Sequence, residues 1–178
     1  DTSLKDQASN DPVAGSVWGA CRDTIDRFLL RRHNERMSLN ATIETMSSIG
    51  MWAMEIWPDV PHYFVIEDTA NGPDVIRAMR KKLTGVTPWA AKGDKEFRAR
   101  AASPALEGHN CFVPGEMLPD GSGPGPNTPA AIQEFIELCA KFGSGSPDDD
   151  IDAWSQAQNY ILSRGSSSGT AHVVQGRT

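Results

Sequence analysis

The sequence predicts a single domain of mixed α/β class, and three observations support this. Short apolar runs bounded by Gly, Pro and Asn recur along the first two thirds of the chain, as β-strands do. Longer segments with apolar residues at helical spacing alternate with these runs and then dominate the end of the chain. The length of 178 residues and the hydrophobic content of 39% are those of one ordinary globular domain.

The chain begins with two predicted strands and a helix. Residues 13–18 (VAGSVW) and 25–31 (IDRFLLR) have the composition of strands and are separated by a short polar turn. Apolar residues at helical spacing predict a helix over 40–56. Asn40 is the expected N-cap of this helix, and Pro58 follows its end.

The next segment predicts a buried strand followed by a helix and an edge strand. Residues 63–68 (YFVIED) are a compact apolar run that ends in two acids, which is typical of a buried strand with carboxylates at its C-terminal end. Pro73 is suited to the first turn of a helix over 73–83. Residues 85–89 read as an edge strand, because Pro88 has no N–H to donate within a sheet.

The second half is predicted to be mainly helical. Its expected elements are a basic helix over 95–106, a short strand over 110–114, a Gly/Pro loop over 115–129, and helices over 128–142 and 149–162. We assign residues 1–162 to the folded domain and residues 163–178 to a flexible Gly/Ser-rich tail.

Composition excludes some classes of protein. No apolar run approaches the roughly 18 residues of a membrane span, so we expect no membrane partner. The cysteines are three in number and widely spaced, which favours a reducing compartment over a disulfide framework; they are Cys21, Cys111 and Cys139.

The net charge of −6 hides a segregation of basic and acidic residues. Basic residues are concentrated between Arg77 and Arg100, whereas acids cluster near 148–152 and in the first 75 residues. A protein that binds a polyanion together with metal ions would show this pattern. Charge alone fits a solvated basic helix face and an acidic loop at least as well.

The stretch PDDDIDAW (147–154) is the densest group of acids. Ser146 as N-cap, Pro147 at the first helical position and the following acids form a good helix start, since acids complement the helix dipole. A helix start explains the presence of Asp152 less well, because this residue lies about one helical turn beyond Asp149. Neighbouring carboxylates repel, so such a group either stays solvated or binds a cation.

Acids elsewhere could complete a cation site. Glu67 and Asp68 end the predicted buried strand, and Asp1 begins the sequence. Asp68 can equally be explained as a cap of the loop that follows. Carboxylates that converge from separate segments are what Mg²⁺ or Mn²⁺ requires.

Four stretches, in order, resemble the C-terminal nuclease domain of the phage large terminase subunit. They are DTSLKDQASNDPVAGSVWG (1–19), FVIEDTANGPDVI (64–76), GDKEFRARAASPALEGHNCFVP (93–114) and DDDIDAWSQA (148–157). The resemblance implies an RNase H-like fold, with a central mixed β-sheet flanked by helices. It also implies a metal-dependent endonuclease that cuts concatemeric double-stranded viral DNA with two Mg²⁺ or Mn²⁺ ions.

The resemblance assigns roles to particular acids. Asp1, Glu67 and Asp149 match the catalytic metal ligands, and Asp148 is expected to assist a second ion or a bound water. Asp152 is expected to support the ligands or lie on the helix surface. We expect Asp150 to be solvated.

The resemblance also implies DNA contacts and partners. Lys92, Lys95 and Arg98 match a basic segment suited to phosphate contact, with a solvated basic helix as the alternative. The implied partners are the terminase ATPase domain, the small terminase subunit and the portal, in the cytoplasm of an infected bacterial host.

The sequence departs from the family pattern at three points. Pro147 stands where the family has a histidine, and no residues precede Asp1 to form the strand that normally carries it, so we expect a fragment of a longer polypeptide. No phosphate-binding GxxxxGK[ST] loop is present, so ATP-driven translocation is not expected of this chain.

Two other functions stay open at this point. One is another RNase H-like nuclease of the resolvase or integrase type. The other is a non-catalytic module that docks on DNA or on the portal.

Overall fold

A computed structural model describes residues 12–21, 23–68, 72–143 and 149–164. Its strands form two small sheets. In the first, β1 (Val13–Ala20) pairs antiparallel with β2 (Arg27–Glu35), and β5 (Cys111–Phe112) pairs parallel with β2. In the second, β3 (Phe64–Glu67) pairs parallel with β4 (Val86–Trp89). The prediction of a mixed α/β fold is confirmed.

The helices cover both faces of these strands. They are α1 (Leu39–Ile56), α2 (Gly72–Met79), α3 (Lys95–Ala102), α4 (Pro104–Glu107), α5 (Ala130–Ala140) and α6 (Asp149–Ser163). Within the described ranges, no helix combines the length and the apolar character needed to cross a membrane.

Two apolar clusters place both sheets between the same helices. On one face, α1 and α2 pack against Val13 and Val17 of β1 and against Phe64 and Ile66 of β3. On the other face, α3, α5 and α6 pack against Trp18, Leu29 and Val65. Each large apolar side chain buried in this way contributes about 1.5–3 kcal/mol to the stability of the fold.

The strand β2 contains a β-bulge that decides which of its side chains face α6. Trp18 pairs with Leu29 and Val17 with Arg31, so Leu30 is an extra residue without a partner on β1. Leu30 packs on the α1 side, whereas Leu29 packs on the α6 side. Because of the extra residue, Arg32 lies on the same face as Leu29 although the two are three positions apart.

Most predicted elements are present, with shifts at their ends. The α1 helix is capped by Ser38, whose side chain accepts from the N–H of Ala41, rather than by Asn40. The predicted helix 95–106 is divided into α3 and α4 at Ser103, because Pro104 cannot donate to a continuing helix. The strand β2 extends to Glu35, four residues beyond the prediction.

The end of the last helix lies slightly beyond the predicted domain boundary. Ser163 is the final residue of α6, and the guanidinium of Arg164 lies 4.0 Å from the ring centre of Tyr63. These two residues therefore belong to the folded part of the chain. The rest of the predicted tail lies outside the described residues.

Candidate functional site

The direction of α6 relative to β2 follows from two contacts. Asp150, in the first turn of α6, accepts hydrogen bonds from Arg32, near the end of β2. Gln158, two turns further along α6, accepts from Arg27, the first residue of β2, at 3.2 Å. The helix therefore runs antiparallel to β2.

The same helix is antiparallel to β3. Tyr160, near the end of α6, has its ring centre 6.0 Å from that of Tyr63, just before β3 begins. The Nη2 of Arg164 donates to the hydroxyl of Tyr63 at 3.1 Å. The start of α6, at Asp149, therefore lies toward the end of the sheet where β3 finishes with Glu67.

Glu67 is the buried carboxylate at this end of the sheet. Its exposed fraction is 5%, and its backbone pairs with Trp89 of β4. The start of α2 is packed closely against it, since a Cβ on Gly72 would lie 1.9 Å from the carbonyl oxygen of Glu67. This close packing restrains the backbone at Glu67.

Asp149 is half-buried as the first residue of α6. It shares the helix start with Asp150, and both acids complement the positive end of the helix dipole. The prediction of a helix from Asp149 onward is confirmed. The predicted N-cap Ser146 and the residue Pro147 lie outside the described part of the chain.

The prediction that Asp150 is solvated is wrong. The side chain of Asp150 is 4% exposed and accepts from the Nε and Nη2 of Arg32 at 3.0 and 2.7 Å. The amide nitrogen of Asn34 donates to the same carboxylate at 2.6 Å. The physical reason is the bulge at Leu30, which turns Arg32 and Asn34 toward α6.

Asp152 is also buried, so a position on the helix surface is excluded. Its side chain is 1% exposed and forms an ion pair with Arg98 of α3. The Nε of Arg98 donates to Oδ1 of Asp152 at 2.9 Å. Asp152, the fourth aspartate of the stretch, is thus explained by the packing of α6 against α3.

Arg98 therefore differs from the surface phosphate contact that was predicted. It is 8% exposed, and its guanidinium donates to Asp152 and, through Nη1, to the carbonyl of Gly93 at 2.8 Å. These bonds hold the turn at Gly93 against α6. Lys92, which is exposed, and Lys95, which is half-buried, stand on either side of that turn.

The other predicted ligands cannot be placed. Asp1 and Asp148 lie outside the described residues. Within the residues that are described, no three His, Cys, Asp or Glu side chains are close enough together to hold a metal ion. Glu67 and Asp149 remain as the described candidates, and their oxygens are of the kind that Mg²⁺ and Mn²⁺ prefer.

Charge and burial shift several pKa values near α6. The hydrogen bonds from Arg32 to Asp150 raise the pKa of the guanidinium further above its usual value, so the guanidinium stays charged. Burial raises the pKa of the Cys139 thiol to about 12, and the negative charge of Asp150 adds to the effect. The thiol is consequently neutral at physiological pH.

Sequence reasoning missed Arg32 and Asn34. The available signal was a run of polar residues, RRHNE, that directly continues the apolar part of β2.

Neither a known family model nor a curated protein matches this sequence.

Proposed function

We propose that this chain carries the nuclease site of a viral DNA-packaging terminase large subunit. The site would be a divalent-metal-dependent endonuclease of the RNase H-like type, acting on double-stranded DNA. The observation that supports the proposal is that two separate segments carry an acid to the same end of the sheets. There, β3 ends in the buried Glu67 and α6 begins with Asp149.

The start of β1 lies at the same end. Val13 pairs with Glu35, the last residue of β2, and β2 ends beside the first turn of α6. Three separated parts of the chain thus lie toward the same end of the sheets, which is consistent with a site whose carboxylates come from separate segments. The four motifs quoted above point to the same chemistry.

Each group has a defined part in the proposed reaction. Glu67 and Asp149 hold the ions, and Asp1 and Asp148 are proposed as further ligands by resemblance. Bound Mg²⁺ or Mn²⁺ would supply Lewis-acid stabilisation of the phosphodiester and an activated water. Lys92 and Lys95 are proposed to contact backbone phosphates, which would give affinity without sequence preference.

Cleavage of plasmid DNA by the 178-residue chain tests the proposal. We expect nicking and linearisation with Mn²⁺ or Mg²⁺ and none with EDTA. Glu67→Gln and Asp149→Asn should reduce the rate by at least about a hundredfold, because each removes a charged ligand while keeping the side-chain shape. Asp74→Asn, at an exposed carboxylate paired with Arg77, is the matched control and should cut like the parent.

Three results would contradict parts of this proposal. Unchanged cleavage by both ligand variants would remove the site assignment. Cleavage of branched junctions but not of linear duplex would favour a resolvase-type nuclease. DNA or portal binding without any Mn²⁺ binding in calorimetry would favour a docking module.

A further inference from the structure

We propose that Arg32 is a positioning residue for Asp149, acting through Asp150. The statement rests on the proposed function, in which Asp149 binds a metal ion. Arg32 is not itself a ligand, because a guanidinium has no lone pair to offer a metal ion. It fixes the first turn of α6 on the sheet and thereby sets where the Asp149 carboxylate stands.

The contacts of Arg32 join three elements at this point. Its Nε and Nη2 donate hydrogen bonds to the two carboxylate oxygens of Asp150, at 3.0 and 2.7 Å. Its Nη1 donates to the carbonyl of Ala131 at 2.9 Å and to Glu134 at 2.7 Å, both in α5. A fork that engages both oxygens of a carboxylate restrains orientation as well as distance.

The site of attachment matters because helix ends are the least constrained parts of a helix. The first N–H groups of α6 have no partner within the helix, so the first turn frays unless side chains hold it. Asp150 is directly next to Asp149 in that turn. With the side chain of Asp150 fixed by Arg32 and Asn34, the backbone of Asp149 has little freedom to move.

The bulge in β2 indicates that this contact is built into the strand. With regular alternation, residues 29, 31 and 33 would share a face, and Arg32 would point toward α1. The extra residue Leu30 instead places Arg32 and Asn34 on the α6 side. Bulges commonly re-aim side chains in this way beside active sites.

The chain provides a matched control in Arg27. This residue lies on the same strand and is also buried, and its Nη1 donates to Gln158 at 3.2 Å. It therefore anchors the same helix two turns away from Asp149. Loss of either arginine should destabilise the fold, but only loss of Arg32 should release the first turn.

Mn²⁺ affinity of the folded chain separates the two roles. We expect Arg32→Met to weaken Mn²⁺ binding by about tenfold or more, as for other residues that orient metal ligands, measured by titration with paramagnetic detection. Arg27→Met should stay within about threefold of the parent. The Mn²⁺ affinity of Arg32→Lys should lie between those of the parent and Arg32→Met, because an ammonium cannot bond both carboxylate oxygens in a fixed geometry.

A second variant covers the case in which Arg32→Met does not fold. Arg32→Met combined with Asp150→Leu removes both buried charges and is expected to fold. It should still bind Mn²⁺ about tenfold more weakly than the parent. Parent-like affinity in the folded Arg32 variants, or an equal loss in Arg27→Met, would overturn the proposal.

Hydrogen exchange tests the positioning independently of the metal. The amides of Ala153 and Trp154 close the first helical turn onto the carbonyls of Asp149 and Asp150. They should exchange at least about tenfold faster in Arg32→Met but not in Arg27→Met. If the parent binds no Mn²⁺, the proposed function fails. Equal exchange rates in Arg32→Met and Arg27→Met would separately overturn the positioning role of Arg32.

Discussion

Arg98 of α3 donates through both Nε and Nη2 to a single carboxylate oxygen of Asp152 in α6. Both side chains are buried, and the arginine also holds the carbonyl of Gly93. Arg98, which belongs to the predicted DNA-contact segment, thus links α3 to α6 inside the fold. Lys92 and Lys95, on either side of the Gly93 turn, are the other two basic residues of that segment, and we propose them as its DNA contacts.

Removing Arg98 alone should strongly destabilise the protein. We expect Arg98→Met to lower the free energy of unfolding by about 3–5 kcal/mol, because the buried charge of Asp152 loses the guanidinium that compensates it. Arg98→Met with Asp152→Leu should recover most of this loss. Urea unfolding monitored by circular dichroism measures both, and a double variant as unstable as the single one would contradict the explanation.

The lysines beside the Gly93 turn should control the salt dependence of DNA binding. If each contacts one phosphate, Lys92→Ala and Lys95→Ala should each reduce the slope of log affinity against log salt by about 0.9. Lys141→Ala, beyond the end of α5, is the control and should leave the slope unchanged. An equal change at all three positions would mean that binding is not localised at the turn.

Stability should depend on the protonation of His33. Burial lowers the pKa of this imidazole, and its Nε2 has no hydrogen-bond partner among the residues that the structure describes. The unfolded chain therefore binds the proton more readily, so the stabilising contribution is complete above the unfolded pKa of about 6.5 and is lost as the pH falls below it.

The expected result is a fall in the free energy of unfolding between about pH 7 and about pH 5, which His33→Gln should make shallower. Urea titrations at a series of pH values provide the measurement. An identical pH profile in the variant would show that other groups cause the fall.

The cysteines should differ in reactivity. Cys21 is exposed, and a hydrogen bond with the Thr24 side chain lowers the pKa of its thiol. The pKa of Cys139 is raised to about 12 by burial. Iodoacetamide should therefore label Cys21 much faster than the half-buried Cys139 in the folded protein, as followed by peptide mass spectrometry. Comparable native labelling of both would contradict the burial of Cys139.

Local patterns in the sequence carried enough information to predict most elements. The apolar faces of α1, α5 and α6 repeat at helical spacing within one segment, so no knowledge of distant residues was needed. Glu67 could also be predicted from local sequence alone, because it stands at the end of a short apolar run that forms a fully buried strand.

The partners of the acids could not be predicted in the same way. Regular alternation along β2 would place Arg31, not Arg32, on the face of Leu29, and nothing local marks the extra residue at Leu30. The pairing of Arg98 with Asp152 joins residues 54 positions apart. Such pairs depend on how helices and strands pack, which a single sequence does not reveal.

The pair of Arg32 and Asp150 also constrains how this protein can change during evolution. A change at position 32 alone leaves a buried carboxylate, and a change at position 150 alone leaves a buried guanidinium. Either intermediate is costly, so substitutions at the two positions should be inherited together. Among related sequences, these sites should covary although 118 positions separate them in the chain.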